Sequence, residues 1–258
     1  MKSYGEKVGS IKSASDAPEC LLRVVEYLNT CELNVCVEHT DGRVGSIQDE
    51  DSCIDALRKC GEFNVISESD FDKFESDGKL CIVVPKVREW YDIRVVYNEK
   101  SYYTNIKSST LKSADNVGSV DAIMYGLFGK INNYKTKKDK YNALFKEYNK
   151  YKKIGFDEVE EYDYYFLVID KNNNGNCFIT SLCHMNEKSI RPNGSNLPFQ
   201  CKWNLNSPEK HNKEEVCDLI ISTICNSLKK SANILQEDGL VEYMKSKNDD
   251  FLNIFVNS

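Results

Sequence analysis

The segment from Tyr91 to Lys107 constrains the fold more tightly than any other in the chain. Ile93 to Tyr97 and Tyr102 to Ile106 are short runs rich in β-branched and aromatic residues, divided by the polar Asn98-Glu99-Lys100. This pattern predicts a β-hairpin whose arms meet over Asn98 to Lys100. If Tyr97 pairs with Lys100, Asp92 falls opposite Asn105; a shift of one residue per arm sets it opposite Lys107. Directly opposed residues share a face, and Asn105 and Lys107 share one through the strand period of two. Either register gathers Asp92, Asn105 and Lys107 at one end of the hairpin. A three-residue loop without a bulge would place Asp92 opposite Ile106 and scatter them.

Around this hairpin the elements follow from periodicity. Asp16-Ala17-Pro18-Glu19 is a helix start, with a capping Asp and a Pro in the first turn. Leu21, Leu22, Val24, Val25 and Leu28 then recur at helical spacing, so 17–29 is a core helix. Asp41-Gly42-Arg43 is a turn signal. An amphipathic helix is expected near Ser52 to Cys60 and a polar one near Ser69 to Glu75. Leu80 to Val84 reads as a strand. Val117, Val120, Ile123, Met124, Leu127 and Phe128 mark one face of a helix stopped by Gly129, and the basic segment after it is helical through Tyr151. Tyr164 to Ile169 and Cys177 to Cys183 are strands joined by the turn Asn172-Asn173-Asn174-Gly175. An irregular loop from Asn186 to Leu197 leads into a short strand, Pro198 to Trp203. A long helix spans about Asn212 to Leu235, its buried stripe Val216, Leu219, Ile220, Ile224 and Leu228. The order implies an α/β chain with a central mixed β-sheet flanked by helices. We read it as a single domain over 1–258, mainly helical over residues 1–79, with the sheet over residues 80–210 and C-terminal helices over residues 211–258.

Composition narrows the function classes. No apolar run reaches the about 18 residues of a membrane span, and Met1 to Ser15 has no apolar core of a secretory signal, so a cytoplasmic protein without a membrane partner is expected. The 11 cysteines form no C-x-x-C pair and read as reduced, buried small residues. The histidines His39, His184 and His211 are scattered and read as structural or surface residues. No P-loop, G-x-G-x-x-G or G-x-S-x-G is present, so no nucleotide cofactor is expected. The net charge of -6 weighs against a polyanionic partner, yet nine Lys lie between Lys130 and Lys153 while Asp49 to Asp77 is acidic. A chain so polarised can turn one basic face to nucleic acid; a solvated helix gives the same pattern.

A carboxylate, an amide and an ammonium at one end of a hairpin suit phosphodiester hydrolysis. A carboxylate and a peptide carbonyl offer hard oxygen donors to Mg²⁺. A divalent metal neutralises phosphate oxygens, and a neighbouring Lys positions water or offsets developing charge. The spacing Asp92…Asn105-Ile106-Lys107 resembles the signature of the PD-(D/E)xK nucleases, an Asp on one strand and (D/E)-x-K on the next. Ser108-Ser109-Thr110-Leu111-Lys112-Ser113-Ala114-Asp115-Asn116, running into an apolar helix, is similar to the continuation of this motif in type II restriction endonucleases. Asn193-Gly194-Ser195-Asn196-Leu197-Pro198-Phe199-Gln200-Cys201-Lys202-Trp203-Asn204 resembles the DNA-reading loop of blunt-cutting members.

The resemblance implies a restriction-endonuclease-like fold and a homodimer that cuts double-stranded DNA with Mg²⁺, leaving 5′-phosphates. It gives Asp92, Asn105 and Ile106 (by its carbonyl) as metal ligands and Lys107 as the water-positioning cation. Asn105 departs from the family's acid and carries no charge, so another acid must compensate: Glu89, Asp115 or a helical Glu such as Glu26. For DNA, Ser108, Ser109 and Lys112 are candidates for phosphate, and Asn116, Asn193, Asn196, Gln200 and Lys202 for the reading surface, since amides meet adenine and Arg or Lys meet guanine. Asn132 and Asn133 are weaker candidates. A structure-directed repair nuclease and a non-catalytic DNA-binding relative are the alternatives.

Overall fold

The computed structural model describes residues 11–35, 42–75, 78–86, 89–131, 134–195 and 198–231. By its contacts the chain divides into two units, one of Met1–Lys112 with Tyr165–Thr180 and one of Ser113–Tyr164 with Ser181–Ser258.

The first unit is an α/β sandwich of helices on a mixed sheet. Its helices are α1 (Glu19–Thr30) and α2 (Gly42–Arg58). Its strands are β1 (Phe63–Ser67), β2 (Leu80–Val84), β3 (Ile93–Tyr97) and β4 (Lys100–Ser109), with β6 (Tyr165–Asp170) and β7 (Asn176–Ser181) entering from later in the chain. The sheet order is β1-β2-β3-β4-β6-β7. β1 is parallel to β2 and β4 to β6, while β2, β3 and β4 run antiparallel in turn. Every second residue faces the helices: Leu80 and Ile82, Ile93 and Val95, Ile106, then Tyr165, Leu167 and Ile169. They bury themselves with Leu21, Val24, Val25 and Leu28 of α1 and Cys53 and Leu57 of α2. Alternation along β4 puts Ile106 in this core and Asn105 and Lys107 on the opposite face of the sheet.

The hairpin forms in the first of the two expected registers, with Tyr97 paired to Lys100 and Ile93 to Thr104. Asn98 and Glu99 both take positive φ, 49° and 63°, the twist of a two-residue type I′ connection.

The second unit holds β5 (Asp115–Val117), α3 (Val120–Phe128), α4 (Lys137–Ile154), β8 (Ile190–Pro192), β9 (Phe199–Cys201) and α5 (Lys213–Lys230). Gly129 ends α3 at φ 65°, as a left-handed C-cap requires. The Phe128 and Tyr151 rings stack at 5.5 Å between α3 and α4. α4 meets α5 through Tyr148, whose hydroxyl donates to Asp218 at 2.8 Å. The short strands make a three-stranded sheet in the order β5-β9-β8.

Several elements differ from expectation. α2 begins at Gly42, ten residues before the expected Ser52, so the turn signal at Gly42 marks its start. β1 was not anticipated, because Phe63-Asn64-Val65-Ile66-Ser67 is short and its neighbours are polar. The segment expected as a polar helix near Ser69 is a 3-10 helix, Glu68–Lys73. The loop expected to be irregular from Asn186 contains β8. Residues 232–235 of the expected C-terminal helix lie outside the described residues.

Candidate active site

β3 stops at Ile93 while β4 continues to Ser109, and the site lies at that divergence. The amide of Asp92 donates to the Thr104 carbonyl at 3.0 Å, on the residue that already pairs with Ile93. Beyond this point β3 offers no further carbonyl to β4. The Asp92 carboxylate takes that place: Oδ2 accepts the Ile106 N–H at 2.7 Å. A strand residue directs its N–H and C=O to the same side, so the Ile106 carbonyl also points toward the gap left by β3. Burial pushes the Asp92 carboxyl above its ordinary range, and the Ile106 N–H and the Lys107 ammonium pull it back.

Next along β4, the Asn105 Oδ1 atom is buried and accepts no hydrogen bond. A buried carbonyl oxygen left so costs about 1–3 kcal/mol, and an oxygen of this kind can serve as a neutral donor to a hard cation. Lys107, two residues on, shares the face of Asn105.

The acid that sequence reasoning missed is Glu50. It stands in the middle of α2, and its carboxyl is raised from the usual 4.5 to about 7, by burial first, then by the Asp92 charge, with Lys107 opposing. A buried carboxylate whose ionisation is hindered by a second one, beside a single ammonium, is an excess of negative charge that a divalent cation would relieve. The neighbouring Asp49 explains why Glu50 is held there. Asp49 is 1% exposed, pairs with Lys171 at 2.7 Å and accepts from the Ser108 hydroxyl. This buried pair ties α2 to the ends of β4 and β6. A stripe Asp49, Cys53, Leu57 at four-residue spacing was the available signal for it.

The other compensating acids are placed elsewhere. Glu89 is exposed ahead of β3, and Glu26 is exposed on α1. Asp115 accepts the Trp203 indole N–H at 2.7 Å. Of the residues expected to touch phosphate, Ser108 is held by Asp49, and Ser109 is buried with its hydroxyl accepting the Leu111 N–H at 3.0 Å. Lys112 is exposed.

In the second unit, three of the expected reading residues meet. The Asn116 Oδ1 accepts from Asn193 Nδ2 at 2.9 Å and from Gln200 Nε2 at 3.1 Å. Lys202 is half-buried at the end of β9, its amide donating to Ser189 at 2.7 Å. Asn196, Asn132 and Asn133 lie outside the described residues, as does His39. The lysines of α4 are partly neutralised: Lys140 pairs with Asp121, and Lys152 with Glu214 and Asp218 at 2.7 and 3.1 Å. That leaves α4 a less basic surface than its sequence suggests.

His184 is buried, its Nδ1 2.6 Å from the Ser181 hydroxyl, which donates to Asp163 at 2.6 Å. A hydrolytic triad needs the His between the Ser and the Asp and the Ser open to substrate. Here the Ser is between, and both it and the His are 0% exposed. The described cysteines are all unbridged thiols. Among the described residues no group of three or more His, Cys, Asp or Glu side chains gathers as a metal site. No helix among them is long and apolar enough to cross a membrane. Compared with known protein families, curated proteins and solved structures, the chain matches none.

Proposed function

We propose that this chain is a divalent-metal-dependent endonuclease of double-stranded DNA, of the type II restriction class, acting as a homodimer in the cytoplasm. The observation that carries the reading is Glu50 in the electrostatic surroundings of Asp92 and Lys107, with the Asp92 carboxylate itself held by the Ile106 N–H. It supplies the negative charge that Asn105 lacks relative to the nuclease signature. Asp92, Glu50, Asn105 Oδ1 and the Ile106 carbonyl would hold Mg²⁺. The ion would neutralise the non-bridging oxygens of the attacked phosphate. Lys107 orients the attacking water and offsets charge on the phosphate as it builds. The Ile106 N–H fixes the Asp92 carboxylate, so this ligand needs no reorganisation.

Phage DNA incubated with the protein and Mg²⁺ should give discrete bands carrying 5′-phosphates. Asp92→Ala and Glu50→Gln should each remove cleavage by about 10²-fold or more. A smear or simple nicking would favour a structure-directed repair nuclease. Binding without cleavage at any metal concentration would mark a non-catalytic relative, and either result would remove the restriction reading.

A further inference from the structure

The small sheet of the second unit has two unlike faces. Ile190, Val117, Phe199 and Cys201 are buried. The residues between them form a row across all three strands: Asn116 is paired with Gln200, and Gln200 with Arg191. Directly opposed residues share a face, and Arg191 and Asn116 at its two ends are exposed.

The hydrogen bonds in this row have a fixed direction. Arg191 Nε donates to Gln200 Oε1 at 3.0 Å, and a guanidinium can only donate. Gln200 must therefore turn its Nε2 the other way, onto Asn116 Oδ1 at 3.1 Å. From the far end, the Ser195 backbone N–H donates to Asn193 Oδ1 at 3.2 Å. A peptide N–H also only donates, so Asn193 turns its Nδ2 onto the same Asn116 oxygen. Both ends of the relay are pinned by obligate donors, and Asn116 Oδ1 receives both bonds. What the row has left to offer is mostly donors: the Arg191 Nη groups, the Asn116 Nδ2 and the second hydrogen of Gln200 Nε2, against one remaining lone pair on Gln200 Oε1. Among the described residues Arg191 has no carboxylate partner, and Gln200 steadies its fork.

We propose that this row reads the major-groove edge of guanine in duplex DNA, with Arg191 on O6 and N7. Guanine shows two acceptors side by side there, which the planar fork matches, whereas adenine and cytosine each present a donor that the donor-only Arg191 fork would oppose. Strands stand about 4.8 Å apart, so the row spans about 10 Å, close to the roughly 12 Å width of the major groove. Phosphate oxygens are acceptors too, and the test separates them. The proposal takes DNA as the substrate from the function proposed above, but it does not depend on cleavage.

The test uses the full chain and amplified DNA made with ordinary nucleotides, with 7-deazaguanine for guanine, or with 7-deazaadenine for adenine. Binding is measured in EDTA across a salt series, and cleavage in Mg²⁺. We expect 7-deazaguanine DNA to bind about tenfold or more weakly and 7-deazaadenine DNA to bind as ordinary DNA does. Arg191→Ala should bind ordinary DNA at the level of 7-deazaguanine DNA and show no further loss on the latter. Asn116→Asp keeps the relay's acceptor but puts a carboxylate where the row offers a donor, and should weaken binding comparably. An Arg191→Ala loss equal on all three DNAs, with a shallower salt dependence, would identify a phosphate contact and overturn guanine reading. Loss on 7-deazaadenine DNA instead would overturn it as well, as would absence of DNA binding at low salt. Guanine-dependent binding without cleavage would sustain this inference while refuting the nuclease.

Discussion

Glu50→Gln should make the metal-free protein more stable at alkaline pH, while removing activity. In the folded chain the Glu50 carboxyl ionises at about 7 rather than 4.5, so the fold favours its neutral form. Below about pH 4.5 the group is protonated in both folded and unfolded chains and contributes no difference. As pH rises from there through 7 the unfolded chain loses the proton first, and wild-type stability falls, reaching a constant deficit above pH 7. At ~1.36 kcal/mol per unit the deficit has an upper bound of about 3.4 kcal/mol. The side chain keeps partial contact with water, and screening reduces this to about 1–2 kcal/mol. Urea unfolding in EDTA should show Glu50→Gln equal to wild type near pH 4.5 and more stable by that amount at pH 8. Saturating Mg²⁺ should reverse the order, since a ligand at 100 times its Kd stabilises the wild type by about 2.7 kcal/mol. A difference between the two proteins that does not change from pH 4.5 to 8 would refute the reasoning, because Glu50 would then not share its surroundings with Asp92.

The same geometry sets further expectations. Lys107→Ala should leave DNA binding within about twofold of wild type while cleavage falls by about 10²-fold; a variant cutting at the wild-type rate would remove Lys107 from the chemistry. Asp49→Ala should cost about 3 kcal/mol in denaturant unfolding, since it removes the buried carboxylate that Lys171 pairs with and that accepts the Ser108 hydroxyl. A loss under about 1 kcal/mol would show that the pair does not anchor α2. Glu99→Gly should stabilise the hairpin by about 0.5–1 kcal/mol, because Glu99 holds φ 63°, where glycine carries no steric penalty. Thermal unfolding at equal or lower temperature would contradict that account of the turn.

The hairpin was legible because everything that sets it is local. Two β-branched runs and a two-residue polar break fix the pairing of Tyr97 with Lys100, and Asp92 and Lys107 follow from counting. Glu50 was not legible for the opposite reason. Its helix opens on Gly42, carries Gly45 among the first residues, and scatters Asp49, Glu50 and Asp51 over its surface. The apolar period that announces α1 is absent there, and the segment reads as a solvated acidic stretch. Only tertiary packing, with Asp49 buried against Lys171 and Ser108, reveals which acid is turned toward Asp92. The reading surface lies between these cases. Asn116, Asn193 and Gln200 stood out by residue type, but Arg191 did not, because the short β8 that aligns it with Gln200 has too few residues to show a period.

The sheet of the first unit has a further consequence for anyone dividing this chain. β4 is ten residues long, and its outer neighbour, β6, arrives from more than fifty residues downstream, after the whole interval from Ser113 to Tyr164. A fragment ended at Lys112 would keep the turn, the hairpin and every proposed metal ligand, yet expose the full length of that strand as an open template for other copies. Such a fragment should precipitate rather than bind Mg²⁺. Splicing 165–180 onto it through a short flexible tether restores the missing neighbour and gives the smallest piece in which the ion site can be studied alone.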